Sequence, residues 1–148
     1  MIRLARIEEV DAVSDLVERA YASWVLAIGR RPAPMDDDYA HHIAAGEVFV
    51  LERDGAIAAV AVLIAAADHL LLDNVAVDPG WQHAGLGRQL IAFAEAEARR
   101  RNLREVRLFT NVRMERNIAL YERLGFRETH RAQVGDHHRA FMTKIVEP

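Results

Sequence analysis

Residues 73–88 read DNVAVDPGWQHAGLGR and carry the strongest structural signal in the chain. An apolar strand ends at Val77, because the Asp78-Pro79 that follows contains a proline, which cannot donate an N–H to a sheet. Gln82 to Arg88 then open a helix through a turn with two glycines, which let the backbone approach a ligand closely. Because a helix N-terminus carries about half a positive charge, the segment predicts a site for phosphate or pyrophosphate.

The glycine pattern excludes two common nucleotide-binding motifs. The P-loop, G-x-x-x-x-G-K-S/T, requires a lysine, and the only lysine of the chain is the distant Lys144. The dinucleotide fingerprint requires three glycines, whereas this turn has Gln82-x-x-Gly85-x-Gly87. Backbone N–H groups, helped by Arg88, would have to hold the phosphates. A tight strand-to-helix turn without a ligand is the alternative that this pattern alone leaves open.

The periodicity of apolar residues predicts the elements on either side of this turn. The predicted strands are Ile2 to Ile7, Val48 to Glu52, Ala56 to Ala65, Leu70 to Val77, Val106 to Thr110, Phe126 to Val134 and His138 to Val146. The predicted helices are Val10 to Trp24, Asp36 to Ala45, Leu86 to about Arg101, and Glu115 to Leu124. The order β-α-α-β-β-β-α-β-α-β-β indicates a mixed α/β fold. Its central sheet should be largely antiparallel, with one parallel strand–helix–strand unit joined by a right-handed crossover.

Composition narrows the possible functions. With 148 residues, 51% of them hydrophobic, the chain 1–148 is expected to form a single domain. The absence of cysteine excludes disulfides, thiolate-bound zinc and a cysteinyl intermediate. A net charge of −3 gives no reason to expect nucleic-acid or membrane binding. The longest apolar run, 56–67, is too short to span a bilayer, so a cytoplasmic protein is expected. The seven histidines follow no metal-ligand spacing, so no metal is expected.

Two motifs in this order resemble the GNAT superfamily of N-acetyltransferases. The family has Q/R-x-x-G-x-G/A after a strand ending in V-x-P, and Val77-Asp78-Pro79 with Gln82 to Gly87 match both parts. A second family motif places Asn and Tyr four residues apart shortly before Gly-Phe, as in Asn117, Tyr121 and Gly125-Phe126. The resemblance extends over most of the chain and implies the GNAT acyl-CoA N-acyltransferase fold.

The resemblance implies that acetyl-CoA is the co-substrate. The preceding strand would pair with the pantetheine arm like a further strand, which requires the two parallel strands to splay apart. The turn and helix start would bind the pyrophosphate, and the second motif would contact the arm. The residues implied in cofactor binding are Val75, Ala76, Val77, Gln82, His83, Ala84, Gly85, Leu86, Gly87, Arg88, Asn117 and Tyr121.

The same resemblance implies two catalytic residues. Tyr121 would protonate the departing thiolate as a general acid, and its alternative is an aromatic side chain that only packs on the core. Asp73 would act as the general base, directly or through water, and its alternative is a solvated strand residue. Glu47, or a chain of waters, is a second possibility for the base. On an ideal strand Asp73, Val75 and Val77 share one face, but a bulge, usual here in the family, would disturb that count.

The acceptor is the least defined part of the implied reaction, which is direct attack of a primary amine on acetyl-CoA in a ternary complex. Asp38 and Tyr39 follow the proline-containing break and, with His138 in the last hairpin, are predicted to line the acceptor site. The alternative for the acidic residues is a helix N-terminus. A non-catalytic acyl-CoA-binding or regulatory module is the alternative function. The acceptor, other acyl groups and a homodimer, common in the family, stay open.

Overall fold

The computed structural model describes residues 1–147, which build one seven-stranded sheet flanked by helices. The strands are β1 (Ile2–Leu4), β2 (Val48–Arg53), β3 (Ala56–Ala65), β4 (Leu70–Val77), β5 (Glu105–Asn111), β6 (Arg127–Val134) and β7 (His137–Ile145). The helices are α1 (Val10–Tyr21), α2 (Trp24–Ile28), α3 (Tyr39–Ala44), α4 (Leu86–Arg100) and α5 (Glu115–Arg123). Short 3-10 turns cover Ile7–Glu9, Ala33–Asp36 and Pro79–Trp81.

The strand order β1-β2-β3-β4-β5-β7-β6 confirms the predicted mixed sheet. Strands β4 and β5, joined through α4, form a parallel pair, and the other neighbouring strands described are antiparallel. Alternate residues of the central strands face opposite sides: Val60 and Val62 face α1 and α3, whereas Ala61 and Leu63 face α4. Both faces are therefore covered, as the long apolar runs of these strands require.

The N-terminal region departs from the predicted order in two ways. The predicted helix through Trp24 breaks after Tyr21, and α2 forms a separate short helix that ends at Gly29 with φ of 84°. The first strand stops at Leu4, because Glu9 turns back to accept a hydrogen bond from the backbone N–H of Arg6 at 2.8 Å. Three helices, rather than two, therefore separate β1 from β2.

The decisive irregularity of the sheet is a bulge in β4. Val62 of β3 pairs with Asn74, and the next residue, Leu63, pairs with Leu72, which leaves Asp73 as the extra residue. Because side chains alternate along a strand, one extra residue exchanges the faces beyond it. Leu70 and Leu72 pack on the α4 side, whereas Ala76 packs on the α1 side. The ideal-strand count made from the sequence therefore does not hold across Asp73.

Strands β4 and β5 separate at the same place. They pair only from Leu70 to Leu72 against Val106 to Leu108. Beyond the bulge, β4 keeps its pairing with β3 up to Val77, but no strand formed by residues 1–147 pairs with its other side. The expected splay is thus present, and it leaves the backbone of Val75, Ala76 and Val77 with one unpaired edge. No helix among residues 1–147 has the length and apolar character to cross a membrane.

Candidate active site

Two cavities meet at the splay. The first, called the α4 cleft, lies between the end of β4, the start of α4 and one side of α5, and it is open to solvent. The second, called the β7 cavity, lies between the bulge of β4, the end of β5 and the start of β7. Tyr21, Val75, Asn117 and Tyr121 line both. A ligand in one cavity can therefore reach a ligand in the other at this junction.

The α4 cleft collects the residues predicted for cofactor binding, with the exception of Ala84. It is lined by Val75, Ala76, Val77, Gln82, His83, Gly85, Leu86, Gly87, Arg88, Asn117 and Tyr121. The two motif residues of α5, Asn117 and Tyr121, lie one turn apart and face the same space, as their spacing predicts. The structure thus brings the strand, the turn and the second motif together around one cleft.

The start of α4 has the shape of an anion cradle. His83 and Gly85 adopt left-handed conformations, with φ of 69° and 80°, and Gly85 is the N-cap without any side-chain cap. The first N–H groups of the helix are therefore open to a ligand. A methyl group on Gly87 would meet only Val77 Cγ2, at 3.8 Å. Protein packing therefore does not require glycine there, whereas close approach of a ligand would.

Arginines from two helices add positive charge to the α4 cleft. Arg88 of α4 and Arg116 and Arg123 of α5 line it, and within residues 1–147 none of the three forms an ion pair with a carboxylate. The guanidinium of Arg116 lies 4.8 Å from the centre of the Trp24 ring. Sequence reasoning missed Trp24, Arg116 and Arg123, because α2 and α5 are brought to the cleft only by the tertiary fold.

The β7 cavity contains charged groups of both signs, Asp73 and Arg139. Burial, and then the negative charge of Asp37, raise the pKa of Asp73, although His42 and Arg139 oppose the shift. A carboxylate with a raised pKa is a better proton acceptor than an ordinary one. The position and environment of Asp73 therefore suit a general base.

A network of carboxylates and one imidazole stands behind Asp73. His42 lies between Glu47, at 2.8 Å from Nδ1, and Asp37, at 3.1 Å from Nε2. Burial acts to lower the pKa of His42, but the bonds to Glu47 and Asp37 outweigh it and raise that pKa. Ligand atoms of Asp37, His42 and Asp73 lie within 4.8 Å of one another. Both ring nitrogens of His42 face carboxylates, an arrangement that suits a hydrogen-bonded proton network.

Glu47, the alternative base, is held in this network by His42 and does not line the β7 cavity. An acceptor amine seated in the cavity would meet Asp73 first. The geometry therefore favours Asp73 over Glu47.

Tyr121 has features of both roles predicted from the sequence, the general acid and the aromatic side chain that packs on the core. Its ring packs on Phe126 with centroids 5.9 Å apart. Its hydroxyl makes no hydrogen bond to the described residues and is not sealed from the cavities. Burial raises the pKa of Tyr121 to about 12, so the phenol keeps its proton at neutral pH and can donate it at the junction.

None of the three residues predicted for acceptor binding lines the β7 cavity. Tyr39 is 3% exposed, donates its hydroxyl to the carbonyl of Pro34 at 2.5 Å, and packs in the core. Asp38 is the N-cap of α3 and accepts from the N–H of His41 at 3.0 Å. His138 is exposed, whereas its neighbours His137 and Arg139 line the cavity. The alternation along β7 explains this displacement by one residue.

A buried hydrogen-bond chain shapes the cavity wall instead. The hydroxyl of Tyr21 donates to Asn74 Oδ1 at 2.6 Å, and Asn74 Nδ2 donates to the hydroxyl of Tyr39 at 3.1 Å. Tyr39 passes the chain on to Pro34. Asn74 faces this network only because the bulge turns it toward α1 and α3. Tyr39 therefore holds the wall of the cavity, and Tyr21 and Asn74 are site residues that no local motif marks.

These features define the class of protein. A sequence-family model described as "Acetyltransferase (GNAT) domain" matches residues 44–128. The chain belongs to the GNAT acetyltransferase family.

Part of the chain is also similar in sequence to individual curated proteins. The ribosomal protein bS18 alanine N-acetyltransferase of Escherichia coli (strain K12) is 39% identical over 80 residues, and that of Salmonella typhimurium (strain LT2) is 41% identical over 80 residues. The match covers 54% of this chain and 54% of the Escherichia coli relative. The chain therefore spans about half the length of the curated relatives it matches.

Solved structures show the same fold over nearly the whole chain. The Escherichia coli ribosomal-protein-S18-alanine N-acetyltransferase aligns with a TM-score of 0.75 at 25% identity, covering 100% of this chain and 94% of that one. PaiA N-acetyltransferase from Thermoplasma acidophilum, in complex with coenzyme A, aligns with a TM-score of 0.79 at 17% identity, covering 98% of both chains. At that identity the second likeness concerns the fold alone.

Proposed function

We propose that the protein transfers an acetyl group from acetyl-CoA to a primary amine, by direct attack in a ternary complex. The observation that supports this most is the open edge of β4, which separates the α4 cleft from the β7 cavity. One side of this edge suits an anionic thioester, the other side holds a base, and Tyr121 stands between them. Membership of the GNAT family supports the same reaction.

The cofactor is proposed to lie along the unpaired edge of β4. The amide-rich arm of acetyl-CoA can bond to the free backbone groups of residues 75–77, as an added strand would. Its pyrophosphate would sit on the open N–H groups at the start of α4, with Arg88 and the arginines of α5 nearby. Asn117, which lines both cavities, would bond to the arm. The thioester carbonyl then lies at the junction.

The chemistry follows from what meets at the junction. Asp73, directly or through water, takes a proton from the acceptor ammonium, and the free amine attacks the thioester carbon. A backbone N–H of the open β4 edge stabilises the oxyanion that forms. The C–S bond then breaks, and the thiolate takes the proton of Tyr121. The nitrogen, which still bears two hydrogens, releases one of them, and a proton returned through solvent restores the phenol of Tyr121, while Asp73 gives its proton back to solvent. The products are the N-acetylated amine and coenzyme A.

A peptide N-terminal amine is one acceptor class to test. The curated relatives are named for acetylation of an alanine of ribosomal protein bS18. The amine panel should therefore include alanyl peptides as well as free amino acids, polyamines and lysine derivatives.

The test has two stages. Calorimetry with acetyl-CoA comes first, and then release of the free thiol of coenzyme A is measured across the amine panel. Binding followed by amine-dependent thiol release supports the proposal. Binding without release on any amine would instead indicate a non-catalytic acyl-CoA-binding module. Absence of any affinity for acetyl-CoA would point to an unrelated ligand for the α4 cleft.

A further inference from the structure

Arg139 is the one charged residue of the β7 cavity for which the proposed reaction has no role. It lies on β7, one position beyond the exposed His138, and it lines the cavity together with Asp73. Its guanidinium lies 4.1 Å from the centre of the Phe109 ring, which also lines the cavity. This cation–π contact uses none of the N–H donors of the guanidinium as hydrogen bonds, so they are available to another partner.

No such partner is present in the part of the chain that the structure describes. The side chain of Arg139 takes part in no ion pair and donates no hydrogen bond there. The negative charge of Asp73 acts to raise the pKa of Arg139, but the two side chains are too far apart to form an ion pair. The carboxylate of Asp73 instead lies beside Asp37 and His42. Arg139 is partly buried, and burial lowers its pKa. A partly desolvated guanidinium without a counter-ion is costly unless a ligand supplies one.

We infer that the acceptor is an amine that carries a carboxylate close to its amino group, and that Arg139 binds this carboxylate. This inference rests on the proposed function, since it places the amine beside Asp73 and the carboxylate beside Arg139. Arginine is suited to the task because its planar donors match the two oxygens of a carboxylate. A polyamine or a basic peptide would bring a positive charge toward the guanidinium, so these acceptors are disfavoured.

The same chemistry can come from two sources, a free α-amino acid or a peptide whose second residue is acidic. Two matched pairs of acceptors distinguish them. One pair is alanine and alaninamide, and the other is Ala-Asp-amide and Ala-Asn-amide. Within each pair the amine is retained and the carboxylate is replaced by a neutral amide.

The experiment measures thiol release for both pairs with the wild-type protein and with Arg139→Gln. The expected result is that kcat/KM of the wild type favours the carboxylate member of one pair by about 10- to 100-fold, as expected for a charge-assisted hydrogen bond. Arg139→Gln should abolish that preference, and Arg139→Lys should restore part of it. The pair that responds identifies the source.

The matched control is Arg104→Gln, since Arg104 is exposed before β5 and lines neither cavity. It should keep the full preference. Acetyl-CoA affinity, measured by calorimetry, should be the same in all variants, which shows that they are folded. The assignment is overturned if the wild type prefers the neutral member of both pairs, or if Arg139→Gln slows both members equally. If bound acetyl-CoA releases no thiol with any amine, it is the proposed function that fails.

Discussion

The α4 cleft and the β7 cavity share a junction but are built in different ways. Much of the α4 cleft comes from one continuous stretch, residues 75–88. The β7 cavity is assembled from separate parts of the chain, which are Tyr21, the segments 32–34, 72–75 and 109–111, Met114, Asn117, Tyr121, His137 and Arg139. A continuous segment uses backbone groups, which any suitable turn supplies, whereas the assembled cavity depends on individual side chains. Substitutions in the side chains of the β7 cavity can therefore change which ligand it binds, while the α4 cleft keeps binding the same ligand.

The two cavities also differ in the charges that they present to a ligand. The α4 cleft has a helix N-terminus and arginines that form no ion pair within residues 1–147, which suits a polyanion. The β7 cavity has Asp73 and Arg139 facing one space, which suits a ligand with charges of both signs. A substitution on one side of the junction should therefore leave ligand binding on the other side unchanged.

The largest effect is expected from Asp73→Asn. Loss of the base should lower kcat by about 10²- to 10⁴-fold, while calorimetry should show unchanged affinity for acetyl-CoA. Glu47→Gln is the control, because Glu47 lies outside the β7 cavity and should have a much smaller effect on kcat. If Glu47→Gln lost as much activity as Asp73→Asn, the base would have been assigned to the wrong carboxylate.

The pH profile gives a second test of Asp73. Because burial and the charge of Asp37 raise its pKa, kcat/KM should fall on acidification through a pKa above the usual 3.8 of aspartate. This acidic limb should be absent in Asp73→Asn. A carboxyl with a raised pKa in the folded state favours folding below its unfolded pKa, and this stability is lost as pH rises through the folded value. Asp73→Asn should therefore raise the free energy of unfolding at pH 7, as measured by urea denaturation.

Tyr121→Phe tests the junction itself. It removes the hydroxyl but keeps the ring on Phe126, so the midpoint of thermal unfolding should change little. Loss of the proton donor should lower kcat by about 10²-fold, with unchanged affinity for acetyl-CoA. Rates should be measured over the full pH range, and an unchanged rate at every pH would show that Tyr121 only packs.

Gly87→Ala should affect the α4 cleft alone. The added methyl has room beside Val77, and alanine favours a helix by about 1 kcal/mol over glycine, so the protein should be at least as stable. A methyl in the ligand's space should weaken acetyl-CoA binding by roughly tenfold, as calorimetry can show. Gly85→Ala is the contrasting variant: its φ of 80° should make it destabilising by about 1–2 kcal/mol. Equal affinity in Gly87→Ala and the wild type would argue against close approach of a ligand there.

The difference in construction also explains what the sequence could predict. Gln82 to Gly87 follow a strand directly, so local rules predict this turn. The four-residue spacing of Asn117 and Tyr121 predicts that they share one helix face, but only the resemblance to the GNAT family implies that this face meets the turn. The sequence predicts His138 for the acceptor site, whereas its neighbours His137 and Arg139 line the β7 cavity, because the phase of a strand depends on a starting residue that sequence alone leaves uncertain by one. Tyr39 follows the segment 32–34, which lines the β7 cavity, but its own side chain packs in the core and does not line the cavity. Asn74 and Tyr21 meet only because of the bulge at Asp73, and no local pattern predicts which residue a bulge adds.

The smallest effect is expected from Tyr39→Phe, which tests whether Tyr39 supports the wall of the β7 cavity and does not bind the acceptor. The variant loses the hydrogen bond to Pro34 and leaves Asn74 Nδ2 without its acceptor. Each such loss in a buried site costs about 1 kcal/mol, so urea denaturation should show a stability loss of about 1–2 kcal/mol. Because Tyr39 holds the wall of the β7 cavity without lining it, KM for the amine should rise while acetyl-CoA affinity stays constant. A change in acetyl-CoA affinity equal to that in KM would mean that the two cavities are not independent.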